Sequence, residues 1–194
     1  MAALFARLKQ MRAWHSRRHM AKKCTNDEFP GFVETKVNKG SLKLGTKVPN
    51  FKIASSASKP FVLSDYKGKN LVIYFYPKDS TPGCTIEGKD FTNLKNKFSK
   101  LNTEIFGVSK DSLHSHDNFI TKQEYKIDLL SDEDGEICEL FDVIKEKNMY
   151  GKKFMGIERS TFAIDSEGKL VKEWRKVKVP GHAEEVLDFV KKEL

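Results

Sequence analysis

The stretch "LVIYFYP", residues 71–77, constrains the fold more than any other part of the chain. Six consecutive apolar or aromatic side chains, Leu71 to Tyr76, leave an extended backbone no polar face, so a strand here needs cover on both sides. Pro77 ends the run. Thr81, Pro82 and Gly83 then turn the backbone into a stretch over 84–100 with Phe91, Leu94 and Phe98 at helical spacing. A strand buried on both faces and followed at once by a helix is a building unit of an α/β sheet. "VPNFKI" and "KPFVLSDYKGK" precede it as short strands and turns. "TEIFGVSK" (103–110) reads as the next strand, Asp111 or Ser112 as the cap of the helix "LHSHDNFITKQEY", and "DLLSD" as a short strand. "GEICELFDV" contains a helical segment, and "STFAIDSEGKLVKEW" carries a hairpin signal around its glycine turn. Ala183, Val186, Leu187, Val190 and Leu194 give the last helix one apolar face. The expectation is a three-layer α/β domain over residues 41–194.

The net charge of +8 suggests nucleic acid until it is located. Residues 1–26 hold seven bases and no acid, which leaves 28 bases and 27 acids for the other 168 residues. The body is therefore nearly neutral, and a large phosphate-binding face is not expected on it. Residues 1–40 form a basic N-terminal extension, and "MAALFARLKQMRAWHSRRHMAKKC" has the Arg-rich, acid-free composition of a mitochondrial presequence. A nuclear-import or nucleic-acid arm, a solvated tail and a fusion remnant are the competing readings, with nucleus or cytosol as the alternative locations. No stretch approaches the roughly 20 apolar residues of a membrane span.

Cys24, Cys84 and Cys138 are odd in number and widely spaced, with no C-x-x-C and no set of zinc ligands, so free thiols are expected. Cys84 follows the T-P-G turn directly and falls in the first turn of the helix. Unpaired N–H groups and the positive end of the helix dipole favour an anion there, and for a thiol that anion is the thiolate. A thiolate that meets a peroxide takes one oxygen and becomes a sulfenic acid. A lone cysteine is otherwise most often a small buried hydrophobe. Taken singly, Thr81 reads as a cap, Pro77 as a strand terminator and Arg159 as a surface charge.

Together these residues carry a resemblance. Pro77, Thr81 and Cys84 make P-x-x-x-T-x-x-C, which resembles the active-site signature of peroxiredoxins, and "YFYPKDSTPGCTIE" resembles their bacterioferritin-comigratory, or peroxiredoxin Q, branch. "LGTKVPNFKI", "LLSDEDGEICELFDV" and "ERSTFAIDSEGKL" match that branch in type and order, so the resemblance spans roughly residues 41–194. It implies a thioredoxin-like fold, with a central mixed sheet flanked by helices. It also implies reduction of hydrogen peroxide and organic hydroperoxides without a cofactor or metal, commonly by a monomer. By the same resemblance Cys84 is the nucleophile, and the Thr81 hydroxyl meets the thiolate and the incoming oxygen. Pro77 shields the pocket from water, Arg159 completes the site and Glu87 orients Arg159.

Many members of that branch carry a second, resolving cysteine five residues after the first, where this chain has Lys89. Others place it in the next helix, but "SLHSHDNFITKQEY" contains none. Cys138 is the remaining candidate in the domain, with a packed helix thiol the preferred reading, and Cys24 lies in the extension. The expectation is a one-cysteine cycle closed by an external thiol, from thioredoxin or from glutaredoxin with glutathione. His114, His116 and His182 are read as solvated helix positions, and Trp174 as core or rim. A redox sensor or holdase, and a chromatin-associated peroxidase docked by its basic arm, are the rival functions. No P-loop or G-x-G-x-x-G indicates a nucleotide cofactor.

Overall fold

In chain order the elements are β1 (Lys52–Ser55), β2 (Phe61–Val62), a 3-10 turn (Leu63–Tyr66), β3 (Asn70–Phe75), α1 (Pro82–Ser99), β4 (Thr103–Ser109) and α2 (Leu113–Gln123). There follow β5 (Asp128–Ser131), α3 (Glu136–Leu140), β6 (Ile144–Met149), β7 (Lys152–Ile157), β8 (Ser160–Ile164), β9 (Leu170–Trp174) and α4 (His182–Glu193). The computed structural model describes residues 42–149 and 151–194, all within the unit Thr35–Leu194. The basic segment 1–40, with Cys24 and the targeting reading attached to it, lies outside the described residues.

Every residue of β3 is buried, as its apolar run requires. It pairs in parallel with β4, placing Val72 opposite Ile105, and antiparallel with β8, placing Val72 opposite Ala163. The seven-stranded sheet runs β2-β1-β5-β4-β3-β8-β9, with β4 and β5 parallel and the outer pairs antiparallel. This is the expected mixed sheet. Because side chains alternate along a strand, Leu71, Ile73 and Phe75 serve one face while Val72, Tyr74 and Tyr76 serve the other. The second face is covered by α1 (Phe91, Leu94, Phe98), α2 (Phe119) and α4 (Ala183, Val186, Leu187, Val190). The first is covered by α3 (Ile137, Cys138, Leu140), Val48, Phe51, Leu63 and Ile157. Burying a Phe or Leu of this kind stabilises the fold by about 1.5–3 kcal/mol.

Several details differ from the expectations. The helix read in "GEICELFDV" spans only Glu136–Leu140, and Leu194 is exposed at the end of α4. The β6–β7 hairpin has no signal in the sequence, because "IKEKNM" carries charge where strands usually carry β-branched residues. His116 and His182, read as solvated, are both buried, whereas His114 is exposed. Ser112 does cap α2, its Oγ accepting from the Ser115 N–H at 3.4 Å.

Candidate active site

Two elements meet at the carboxyl end of β3, where open α/β sheets commonly build their sites. The β3–β8 register sets Phe75 opposite Ser160, so Arg159 enters β8 beside the loop that leaves β3. That loop runs from the exposed Pro77 to Thr81 and passes through Ser80 in the left-handed region, φ 60. Thr81 is the extended N-cap of α1, Pro82 is its first residue and Cys84 its third. The Thr85 N–H donates to the Thr81 carbonyl at 2.9 Å, closing the first turn. Pro82 suits a position whose N–H would have no helical partner.

The Thr81 side chain caps none of the helix amides; its hydroxyl donates to the Lys78 carbonyl at 3.1 Å. This departs from the expected bond to the thiolate, because the tight turn at Ser80 brings that carbonyl within reach. The hydroxyl oxygen keeps its lone pairs for a hydrogen of an incoming molecule.

Arg159 makes the decisive contacts. Its Nη2 donates to Cys84 Sγ at 3.2 Å, and its Nη1 donates to Glu87 Oε2. Cys84 and Glu87 are three residues apart, on one face of α1, so a single guanidinium spans both. Cys84 is only 2% exposed, and in so dry a place a fixed positive charge acts strongly on a sulfur anion. Burial pushes Glu87 up to about 7 against the pull of Arg159, and Asp90 adds to the rise. Its Oε1 is buried with no hydrogen-bond partner among the described residues. Burial opposes the charge of Arg159, but Glu87 and Cys84 outweigh it and raise the guanidinium further. A Cβ on Gly83 would stand 3.4 Å from Arg159 Nη2, which places the first turn of α1 directly beside the guanidinium. Tyr125 braces the turn from the far side: its hydroxyl donates to the Thr85 carbonyl at 3.0 Å and lies 3.4 Å from that of Cys84. Gly88 is required beneath it, since a Cβ would lie 2.4 Å from the Tyr125 ring.

Residues 44–173 match the AhpC/TSA family. The chain belongs to that family. It is 53% identical over 150 residues to peroxiredoxin Bcp of Xanthomonas campestris, an alignment covering 77% of this chain and 94% of the relative. Among solved structures it is similar to a cysteine-to-serine variant of peroxiredoxin Q from Xylella fastidiosa, with a TM-score of 0.74 and 47% identity, covering 77% of this chain and 96% of that one. It is also similar to the Xanthomonas campestris bacterioferritin comigratory protein, with a TM-score of 0.72 and 52% identity, covering 78% and 96%. That structure concerns the relative's alkyl peroxide reduction activity, in trapped intermediate and ligand complexes. The chain is thus a thioredoxin-like peroxiredoxin of the Q/Bcp type, a thiol peroxidase.

The remaining residues of this peroxiredoxin divide into those the structure brings to the sulfur and those it keeps away. Cys138 is kept away: it packs with α3 under the opposite face of the sheet, whereas Cys84 packs with the other face. A disulfide needs Cα atoms within about 7 Å, less than a layer packed on each side of a sheet allows. Burial, then the Asp132 carboxylate, push the Cys138 thiol far up. Lys89 is exposed on α1. Lys147 on β6 carries no signal in the sequence that marks it as a neighbour of the site. It is half-buried, its Nζ donates to the Ile157 carbonyl at 2.6 Å, and burial and then Arg159 lower its pKa. His182 is held against the Thr161 hydroxyl at 2.7 Å, its pKa lowered chiefly by burial, and Trp174 packs edge-on against it.

Proposed function

We propose that this peroxiredoxin reduces hydrogen peroxide and organic hydroperoxides at Cys84 through a one-cysteine cycle. The observation that carries the reading is the Arg159 Nη2–Cys84 Sγ contact of 3.2 Å at the start of α1. The thiolate attacks the terminal peroxide oxygen; an S–O bond forms as the O–O bond breaks. The departing oxygen takes up the hydroperoxide's proton and leaves as water or alcohol. Arg159, already at the sulfur, meets the charge that moves onto that oxygen, and the Thr81 oxygen accepts the peroxide hydrogen. Pro77 limits water at the sulfur. An external thiol then condenses with the Cys84 sulfenic acid, releasing water and leaving a mixed disulfide, and a second thiol breaks that disulfide to restore Cys84.

Organic hydroperoxides are included because the Xanthomonas relative has alkyl peroxide reduction activity. The external thiol is supported by Lys89 at the usual resolving position and by Cys138 in the core of the opposite face. Thioredoxin, or glutaredoxin with glutathione, is the reductant class, and the working unit is a monomer. A coupled peroxidase assay tests the cycle. Cys84→Ser is expected to abolish turnover while Cys138→Ala and Cys24→Ala retain it with either thiol system. Loss of turnover in Cys138→Ala overturns the one-cysteine reading.

Residues 1–40 precede the matched residues 44–173, and their Arg-rich composition, acid-free over residues 1–26, supports a mitochondrial targeting role. A fluorescent protein bearing residues 1–40 is expected in mitochondria; a nuclear signal supports the arm reading instead.

A further inference from the structure

Beneath the Pro77–Thr81 loop lies a buried polar cluster that touches none of the reacting atoms. Asp79 Oδ1 accepts from the Tyr76 hydroxyl at 2.8 Å. Asp79 Oδ2 accepts from Ser115 Oγ at 2.7 Å and lies 2.9 Å from His116 Nδ1. The Asp79 N–H donates to Asp111 Oδ2 at 2.8 Å, and that same oxygen accepts from Ser109 Oγ at 2.8 Å. The other ring nitrogen of His116, Nε2, lies 3.3 Å from the Leu130 carbonyl. His116 is 0% exposed. Both ring nitrogens face oxygen atoms, so the imidazole is held from two sides, by the Asp79 carboxylate and by the Leu130 carbonyl.

A buried polar or charged pair is a weak source of stability, and its best-attested use is to fix one arrangement over others. The residue that needs fixing is next to it. Ser80 adopts φ 60, a conformation that residues with side chains rarely take. It stands between Asp79 and Thr81, and Cys84 follows three residues after Thr81. The bonds to Asp79 come from the end of β3, the first turn of α2 and the loop after β4. Three separate elements therefore converge on the residue that sets the path of the chain into α1.

We infer that the Asp79–His116 pair is a positioning device for peroxide reduction, holding the Pro77–Thr81 loop so that Cys84 and Thr81 face Arg159. This rests on the reading of Cys84 as the peroxide-reducing thiol. A pair that served stability alone would affect all chemistry at Cys84 equally. A positioning pair affects peroxide reduction more than alkylation, because peroxide reduction needs thiolate, hydroxyl and guanidinium placed together around the peroxide, whereas alkylation needs only the thiolate.

The test uses Asp79→Asn and His116→Asn in the full chain, well below the unfolding temperature of each. Two rates are measured at the Cys84 peptide by mass spectrometry: oxidation by hydrogen peroxide and alkylation by iodoacetamide. Oxidation is expected to fall by about tenfold or more while alkylation stays within about threefold, as for a small misplacement of reacting groups. The double variant is expected to be no worse than the worse single one, since both act through one pair. Equal falls in both rates, or oxidation within about twofold of wild type, overturn the inference. If either variant fails to fold, Ser115→Ala and Tyr76→Phe replace it, each removing one hydroxyl donor to Asp79. A lower oxidation-to-alkylation ratio then supports the inference, and an unmoved ratio overturns it. Wild-type Cys84 that peroxide fails to oxidise defeats the peroxidase reading itself; normal oxidation with unmoved ratios defeats only the positioning role.

Discussion

Cys84 and Cys138 occupy the same place in two helices, the third residue of the first turn, and both are buried. Their surroundings make them opposites. At α3 the Asp132 carboxylate takes the helix amides, accepting from the Ile137 N–H at 3.2 Å and from the Cys138 N–H at 2.7 Å. The anion favoured by that helix end is already present, so a second one on Cys138 is disfavoured, and burial is the larger cause of the same effect. At α1 the cap side chain takes no amide, and the Arg159 guanidinium lies against the sulfur. The two helix ends thus differ in what fills the cap, a carboxylate at α3 and no side chain at α1, and in the sign of the charge beside the thiol.

That contrast can be broken in three places. The largest effect is expected from Arg159→Ala, which leaves Cys84 at its helix end but removes the cation. The second-order rate of Cys84 oxidation by peroxide should fall by about 10²–10³, as for loss of one transition-state donor. Arg159→Lys should recover only part of this, because a single ammonium does not span both Sγ and Glu87. Stopped-flow kinetics with wild-type rates in Arg159→Ala would show that the helix end suffices.

Next comes Glu87→Gln. The folded protein holds this proton up to about pH 7, whereas an unfolded glutamate releases it near 4.5. The contribution of Glu87 to stability is therefore fully present below about 4.5 and is lost as pH rises towards about 7, amounting to up to about 3 kcal/mol. Denaturant titrations of the two proteins should diverge across this window, with the glutamine variant lacking the decline. The difference between the two proteins also cancels His182, whose lowered titration acts with the opposite sign. Parallel curves would remove Glu87 as a titrating partner of Arg159.

The smallest effect is expected at the silent cysteine. Asp132→Ala removes both amide bonds from α3 and should destabilise the fold by about 2 kcal/mol, read as a shift in urea midpoint. Peroxidase activity per folded molecule should not change. A gain of peroxide-reactive Cys138 in this variant would show that capping alone keeps that thiol silent.

The unequal legibility of these regions has physical causes. β3 and the turn into α1 are readable because a fully apolar run and a T-P-G-C turn are local signals. Arg159 and Glu87 come only through resemblance; they stand 72 positions apart, and the Phe75–Ser160 register brings them together. His116 reads as solvated because its neighbours are polar, although it lies one turn before the buried Phe119 on the same helix face. The Asp79–His116 pair joins residues 37 apart and leaves no periodic trace. The β6–β7 hairpin is hidden by its lysines and glutamate.

The most direct test of Cys84 as the reactive sulfur labels sulfenic acid with dimedone after one equivalent of hydrogen peroxide and maps the adduct by mass spectrometry. The adduct is expected on Cys84, with none on Cys138. An adduct on Cys138, or equal labelling of both thiols, would contradict that assignment.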